Sequence, residues 1–273
     1  MKTINPSELS PMQVQMILQT AVAPRPIALA STIDKNGNVN LSPFSFFNLF
    51  SSNPPILIFS PARRVRDNST KDTLHNVLEV PEVVIGNVNF DMVQQVSLSS
   101  TEYETGVDEF IKSGLTKKPA ELVKPPLIAE SPVNFECKVI EVKPLGNEGG
   151  AGNLVICEVL KIHIREEFLN EEGNLDQKKL DLVSRLGGNW YGRTSAETLF
   201  EVPKPLVTKG IGFDQLPSEI RNSKIFTGND LGMLANVEQL PEGNFSADEN
   251  LHLEAQKLLL ESKIEEAWKV LTQ

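Results

Sequence analysis

Residues 24–73 read PRPIALASTIDKNGNVNLSPFSFFNLFSSNPPILIFSPARRVRDNSTKDT, and the strands and loops in this run decide the fold. Ile27, Leu29 and Ile33 alternate with Ala28, Ala30 and Thr32, the two-residue period of a half-buried strand. Asp34-Lys35-Asn36-Gly37-Asn38 is a turn cluster, because Gly and Asn accept positive φ and Asn-Gly favours a tight hairpin. Val39 to Phe44 then returns as a second strand, and Ile56 to Ser60 forms a third after the Asn53-Pro54-Pro55 break. In the loop that follows, Arg63, Arg64, Arg66 and Lys71 stand against one acid, Asp67. A helix is predicted over Thr70 to Glu79, with Ser69 and Asp72 spaced as a capping pair. In a chain of formal net charge −10, this local reversal of sign points to an anionic ligand.

The 273 residues suffice for one large core or a core with an extension. Forty per cent hydrophobic and 23% charged residues describe a globular chain, not a disordered one. The acidic balance, and the lack of aromatic residues interleaved with Lys or Arg, argue against nucleic acid as a partner. No apolar run reaches the length of a membrane span, and MKTINPSELSPMQVQ lacks the apolar stretch of a secretory signal. A cytoplasmic protein is the expectation. Cys137 and Cys157 sit in apolar, strand-like segments and read as buried reduced thiols. His75, His163 and His252 share no ligand-spaced motif, so no metal site is expected.

Along the rest of the chain, residues 6–20 read as a short helix interrupted near Pro11. Val83 to Val88 reads as a strand, Phe90 to Leu98 as a helix, and Val107 to Ser113 as another short helix. Val133 to Val142 and Leu154 to Ile164 form a long hairpin joined by PLGNEGGAGN. That Gly-rich joint links strand to strand and has Val155 where a dinucleotide fingerprint needs Gly, so it reads as a turn. Beyond Pro205 the chain looks loop-like until a terminal helix over 246–273, with Ser246 and Glu249 as its capping box. Two divisions follow, 1–205 and 206–273. Many short strands with few long helices indicate a mainly β, barrel-type core with helical additions.

No nucleophile elbow, electropositive cysteine or H-E-x-x-H helix is present, and Glu102 with Glu104 reads as a solvated turn. Reactive chemistry must therefore come from something bound. Ser60, Ser69, Thr70 and Thr73 add hydroxyls to the cations of the 60–73 loop, and a helix start there would aim free N–H groups at a phosphate. The same residues read equally as a solvated loop with a capped helix. Ser42, Ser45 and Asn48 lie among Phe44, Phe46 and Phe47, a mixture that suits a planar heterocycle or, alternatively, plain barrel core.

RPI at 25–27, NLSPFSFFN at 40–48, NPPILIFS at 53–60, KDTLHN at 71–76 and RLGGNWYGR at 185–193 together resemble the flavin reductase-like, FMN-binding split-barrel family. The resemblance spans roughly residues 20–200 in the expected order. It implies a six-stranded antiparallel split β-barrel of Greek-key type, with peripheral helices and a C-terminal helical extension. It also implies a homodimer that holds FMN at or near the subunit interface, with NADH or NADPH as hydride donor.

Carried over by residue, the resemblance places Ser31 and Thr32, with Ser42, Phe44, Ser45, Phe46 and Asn48, along the isoalloxazine. It places Ser60, Arg63, Lys71, Asp72 and Thr73 around the ribityl phosphate. The implied activity is that of an NAD(P)H-dependent flavin reductase. Two alternatives stay open at this level: a flavoredoxin-like electron-transfer protein reduced by a protein donor, and a flavin-binding module without turnover.

Overall fold

The structure, a computed structural model, describes residues 1–205 and 209–272. It divides into two compact units, Met1–Leu199 and Phe200–Gln273. The expected boundary at 205–206 falls at residues 206–208, which lie outside the described residues.

The first unit is built on one antiparallel sheet of seven strands. These are β1 (Ala28–Ile33), β2 (Val39–Phe44), β3 (Phe47–Ser52), β4 (Pro55–Phe59), β5 (Glu82–Gly86), β8 (Val133–Pro144) and β9 (Asn153–Ile164), in the order β2-β1-β5-β8-β9-β4-β3. The short pairs β6 (Lys117–Lys118) with β7 (Leu127–Ile128), and β10 (Val183–Arg185) with β11 (Tyr191–Arg193), stand apart from it. Six barrel strands were expected. The additional one is β3, which carries the FNLFSS run and pairs with β4 across the Asn53-Pro54 turn. Its sequence does not alternate: Leu49 and Phe50 are adjacent and both exposed, and the register slips between Leu49 and Ser51. A bulged edge strand leaves no two-residue period to read.

The two edge strands, β2 and β3, are consecutive in the chain and joined only by Ser45-Phe46. Two residues span about 11 Å at most, so the sheet must roll until its edges nearly meet. They are not hydrogen-bonded to each other, and the barrel stays open along that seam. Inside the roll, alternate residues converge: Ala28 and Ala30, Leu57 and Phe59, Val83 and Ile85, Cys137 and Val139, Val155 and Cys157. Phe44 of β2 meets Phe59 of β4 across the seam, ring centroids 5.2 Å apart. Both cysteines are free thiols in this core, and burial pushes the Cys137 thiol up to about 12. The opposite faces of β1, β2 and β5 place Leu29, Leu41 and Val84 in a second apolar layer with Met92, Val96, Phe110 and Ile128.

The helices of this unit are α1 (Pro11–Ala21), α2 (Asp72–Glu79), α3 (Val93–Leu98), α4 (Glu109–Ser113) and α5 (Gln177–Leu180). Pro11 starts α1 instead of interrupting it: it occupies a first-turn position, where its missing N–H costs nothing. Ser10 and Gln13 close a capping box behind it. The expected cap on α2 does not form. Lys71 holds the N-cap position without a side-chain bond, and the Ser69 hydroxyl donates to Asp67 instead. Leu74 and Val77 of α2 complete the barrel core.

The second unit contains α6 (Ser218–Arg221), α7 (Gly228–Leu234), α8 (Glu249–Leu260) and α9 (Ile264–Leu271). The single tail helix expected over 246–273 is therefore two, separated at Ser262, whose φ of 60° is left-handed. Asp248, not Ser246, caps α8, and the Ser246 hydroxyl accepts the Asp248 N–H. Leu231, Leu234, Ala255, Leu259, Trp268 and Leu271 form this unit's own core. His252 lies buried there, one ring nitrogen 2.8 Å from the Ser223 hydroxyl and the other 2.8 Å from the Ser246 carbonyl. Both nitrogens are engaged, so this histidine is structural.

Candidate functional site

The loop between β4 and α2 lies against the Gly-rich joint between β8 and β9. The Arg63 N–H donates to the Ala151 carbonyl at 2.8 Å, and the Gly150 N–H returns a bond to the Arg63 carbonyl at 2.9 Å. Gly149 and Gly152 permit this approach. A Cβ on Gly149 would come within 3.0 Å of the Arg64 and Val65 carbonyls, and one on Gly152 within 2.6 Å of Ser60 Oγ. The joint is thus a turn, and also the bed on which the basic loop rests.

The loop's cations have different fates. Arg64 donates to Glu102 at 3.0 Å, to the Ser69 hydroxyl at 2.9 Å and to the Thr70 carbonyl at 2.9 Å. Arg66 pairs with Asp67 and with the same Glu102. Glu102, expected as part of a solvated turn, is therefore the counter-ion of the loop. Its partners lie 36 and 38 positions away, beyond the reach of local pattern.

Lys71 is different. Its ammonium donates to the Ser42 hydroxyl at 3.2 Å and sits 5.2 Å from the centre of the Phe44 ring. It has no carboxylate within ion-pair distance among the described residues. Burial, and next the neighbouring Arg64 charge, hold its pKa below the ordinary lysine value, while Glu102 and Glu109 pull the other way. A half-buried cation with one neutral partner keeps its charge available to an anion.

Beneath Lys71 runs a buried polar network. The Thr73 hydroxyl donates to Asn40 Oδ1 at 2.7 Å, and Asn40 Nδ2 donates to Glu109 Oε1 at 2.9 Å. The Leu41 N–H donates to Glu109 Oε2 at 2.9 Å, and Asn76 Nδ2 donates to the Thr32 hydroxyl at 3.1 Å. Burial raises the Glu109 carboxyl above its usual range, with these bonds opposing. Thr32 and Thr73 therefore spend their hydroxyls inside the protein, tying β1, β2 and α2 to α4. Asp72, at the first turn of α2, receives the Thr105 hydroxyl at 3.2 Å.

The remaining residues singled out from sequence fall in several places. Ser31 pairs with Leu41, on the face of β1 opposite Ser42, and its buried hydroxyl has no partner. Phe44 is core and supports Lys71 from below. Ser45, Phe46, Asn48 and Ser60 line a cleft of about 320 Å³ together with Arg25 and Phe50. Phe46 also borders a larger cleft of about 720 Å³, shared with Arg63, Arg64, Gly149 and the α1 residues Met12 and Leu18. Arg64 in turn borders the Lys71 and Ser42 pocket. Phe46 is thus common to the first two spaces and Arg64 to the last two.

Arg25 was read only as part of a motif. Its guanidinium donates to the Val22 carbonyl at 2.6 Å, to Leu186 at 2.9 Å and to Gln19, clasping the end of α1 to the β10–β11 turn. Gly187 lets α1 approach: a Cβ there would meet Thr20 Oγ1 at 2.2 Å. The segment 185–193 is accordingly an anchor for α1, with Trp190 exposed at its tip.

A family model for the flavin reductase like domain matches residues 21–181. An uncharacterized protein of Halalkalibacterium halodurans is 38% identical over 208 residues, covering 76% of this chain and 98% of its own. The structure superposes on nitrilotriacetate monooxygenase component B from Bacillus cereus with a TM-score of 0.68 at 27% identity, over 75% of this chain and 98% of that one. For the Pseudomonas fluorescens 2-nitrobenzoate 2-nitroreductase the TM-score is 0.64 at 26% identity, over 80% and 99%. A Shewanella frigidimarina structure with a split barrel domain gives 0.61 at 23% identity over 72% and 95%, a likeness of fold. The chain belongs to the flavin reductase like family. Its first unit is a split barrel with helices, and its activity is of the flavin-linked oxidoreductase class.

The residues present fit a flavin. Lys71 offers a phosphate an unneutralised cation, and Ser60 Oγ is a buried polar atom without a partner at the edge of the Phe46 cleft.

Proposed function

We propose that this protein is an FMN-binding, NAD(P)H-dependent flavin reductase. The observation that carries the reading is the Lys71 ammonium, held on Ser42 with no carboxylate partner among the described residues, in a pocket that shares Arg64 with the cleft bordered by Phe46. In this reading Lys71, Ser42 and Arg64 bind the FMN phosphate, with charge-assisted hydrogen bonds supplying most of the affinity. Asn40, Thr73 and Glu109 hold the first turn of α2 in place beneath them. The ring lies toward Phe46, with Ser45, Asn48 and Ser60 along its edge. Bound flavin would supply acceptance of a hydride from the reduced nicotinamide and its onward transfer. The chain's own task is to position two planar rings and exclude water between them.

We also propose a homodimer in the cytoplasm. The bulged edge strand β3 exposes Leu49 and Phe50, 61% and 63% accessible, an apolar edge of the kind a second copy covers.

The test is an absorbance spectrum of the purified protein, followed anaerobically on adding NADH and then NADPH. Oxidised flavin bands at about 370 and about 450 nm, bleached by one of the nicotinamides, are the expected result. Bands that persist until dithionite is added would shift the reading to electron transfer from a protein donor. A colourless protein that does not take up added FMN would end it.

A further inference from the structure

Of the four cations in the basic loop, Lys71 and Arg63 have no carboxylate partner among the described residues, and Arg63 rests by its Nε on Asn68 Oδ1 at 2.6 Å. Arg64 and Arg66 share one, Glu102. That acid comes from the connection between α3 and α4, residues 99–108. Residues 99–103 of this connection line the Lys71 pocket together with Ser42, Arg64 and Lys71. The space they leave is about 30 Å³, room for about one or two waters and too little for a phosphate group.

Both ends of the connection are anchored. The Ser99 N–H donates to the Gln95 carbonyl at 3.0 Å, and Glu109 is held by Asn40 and the Leu41 N–H. Between these ends no residue from Ser100 to Asp108 is buried. Two side chains fasten the connection to the basic loop and to α2: Glu102 on the arginines, and Thr105, whose hydroxyl donates to Asp72 at 3.2 Å. A strap held in this way lifts without opening the apolar core.

Glu102 occupies the guanidinium assigned to the phosphate. Its carboxylate accepts from Arg64 Nε at 3.0 Å, and its charge also reaches Lys71, where it opposes the effect of burial. Bonds from Arg66 and then Arg64 hold the Glu102 carboxyl below its usual range, so it is ionised at neutral pH. A phosphate dianion entering the pocket meets that carboxylate on the same arginine, and the two repel. Arg64 keeps its place without Glu102, because its Nη1 is separately bonded to the Ser69 hydroxyl and the Thr70 carbonyl. Glu102 keeps a partner without Arg64, because the more exposed Arg66 holds its other oxygen.

We propose that Glu102 is a built-in competitor of the flavin phosphate: it closes the 99–108 strap on Arg64 in the free protein and swings outward with Arg66 when phosphate takes its place. This rests on the flavin reading of the Lys71 pocket, and it makes Glu102 a residue that weakens that site.

Flavin-free, full-length wild type, Glu102→Gln, Arg66→Gln and the double variant are titrated with FMN by flavin fluorescence, with circular dichroism melts to verify folding. Glu102→Gln keeps the shape of the side chain and removes its charge, and is expected to bind FMN about fivefold more tightly than the wild type. Arg66→Gln is expected to bind FMN about twofold more weakly, because Glu102 is then left on Arg64 alone. That loss should vanish in the Glu102→Gln background. An FMN affinity in Glu102→Gln equal to or below that of the wild type overturns the proposal and leaves the flavin reading intact, since Glu102 would then support the pocket. A loss from Arg66→Gln that persists undiminished in the double variant also overturns it, because Arg66 would then act on the phosphate directly. FMN bound by none of the four proteins removes the flavin reading and this proposal together.

Discussion

Lys71 is costly to the fold, and in the proposed reading it is the side chain on which the flavin phosphate rests. Its ammonium is half-buried on a neutral hydroxyl, and burial lowers its pKa from 10.5. Between that lowered pKa and 10.5 the unfolded chain binds the Lys71 proton more tightly than the folded one, so this residue's contribution to stability rises with pH across the window. Affinity for FMN should move the opposite way, falling as pH rises through the lowered pKa and the cation is lost. FMN titrations across the alkaline range would reveal this, and an affinity that stays flat while the fold persists would remove Lys71 from the site. Lys71→Ala should weaken FMN binding by about tenfold to a hundredfold without loss of thermal stability, because only a neutral hydroxyl loses its partner. The cation was legible in the sequence because four basic residues in nine stood out of an acidic chain. The division of labour among them was not. It depends on Glu102 and Asn68, which meet the arginines only after folding.

At the level of elements, Glu109 joins α4 to β2 and, through Asn40 and Thr73, to the start of α2. Glu109→Leu would leave the Leu41 N–H and the Asn40 amide unpaired in the interior, at a cost of about 2–4 kcal/mol. Urea denaturation measures this directly, and a loss below about 0.5 kcal/mol would show that water replaces the carboxylate. FMN affinity should fall in the same variant, because the turn carrying Lys71 loses its support. Strands β1, β2, β4, β8 and β9 were readable because alternation and the Asn-Gly and Gly-rich turns are local signals. Strand β3 was hidden by its bulge. The caps proposed at Ser69 and Ser246 failed for one reason: a neighbouring aspartate took part instead, Asp67 as acceptor for Ser69 and Asp248 as the cap of α8. Spacing alone cannot rank two adjacent capping residues.

For the molecule as a whole, each unit has its own apolar core, so the two should unfold separately. Calorimetry should show two transitions, with FMN raising only the one that belongs to residues 1–199; a single two-state transition would contradict this. From sequence alone came the chemistry that a short window can hold: an acidic chain with one basic loop, strand periods, turn residues and five motifs in family order. Tertiary structure decided what depends on distant partners. It rolled the sheet so that β2 and β3 face each other across an open seam, put Ser31 and Ser42 on opposite faces, and drew Thr32 and Thr73 into the interior. It also left Lys71 and Arg63 as the loop's unneutralised cations among the described residues, because charge is compensated through space, by groups tens of positions away.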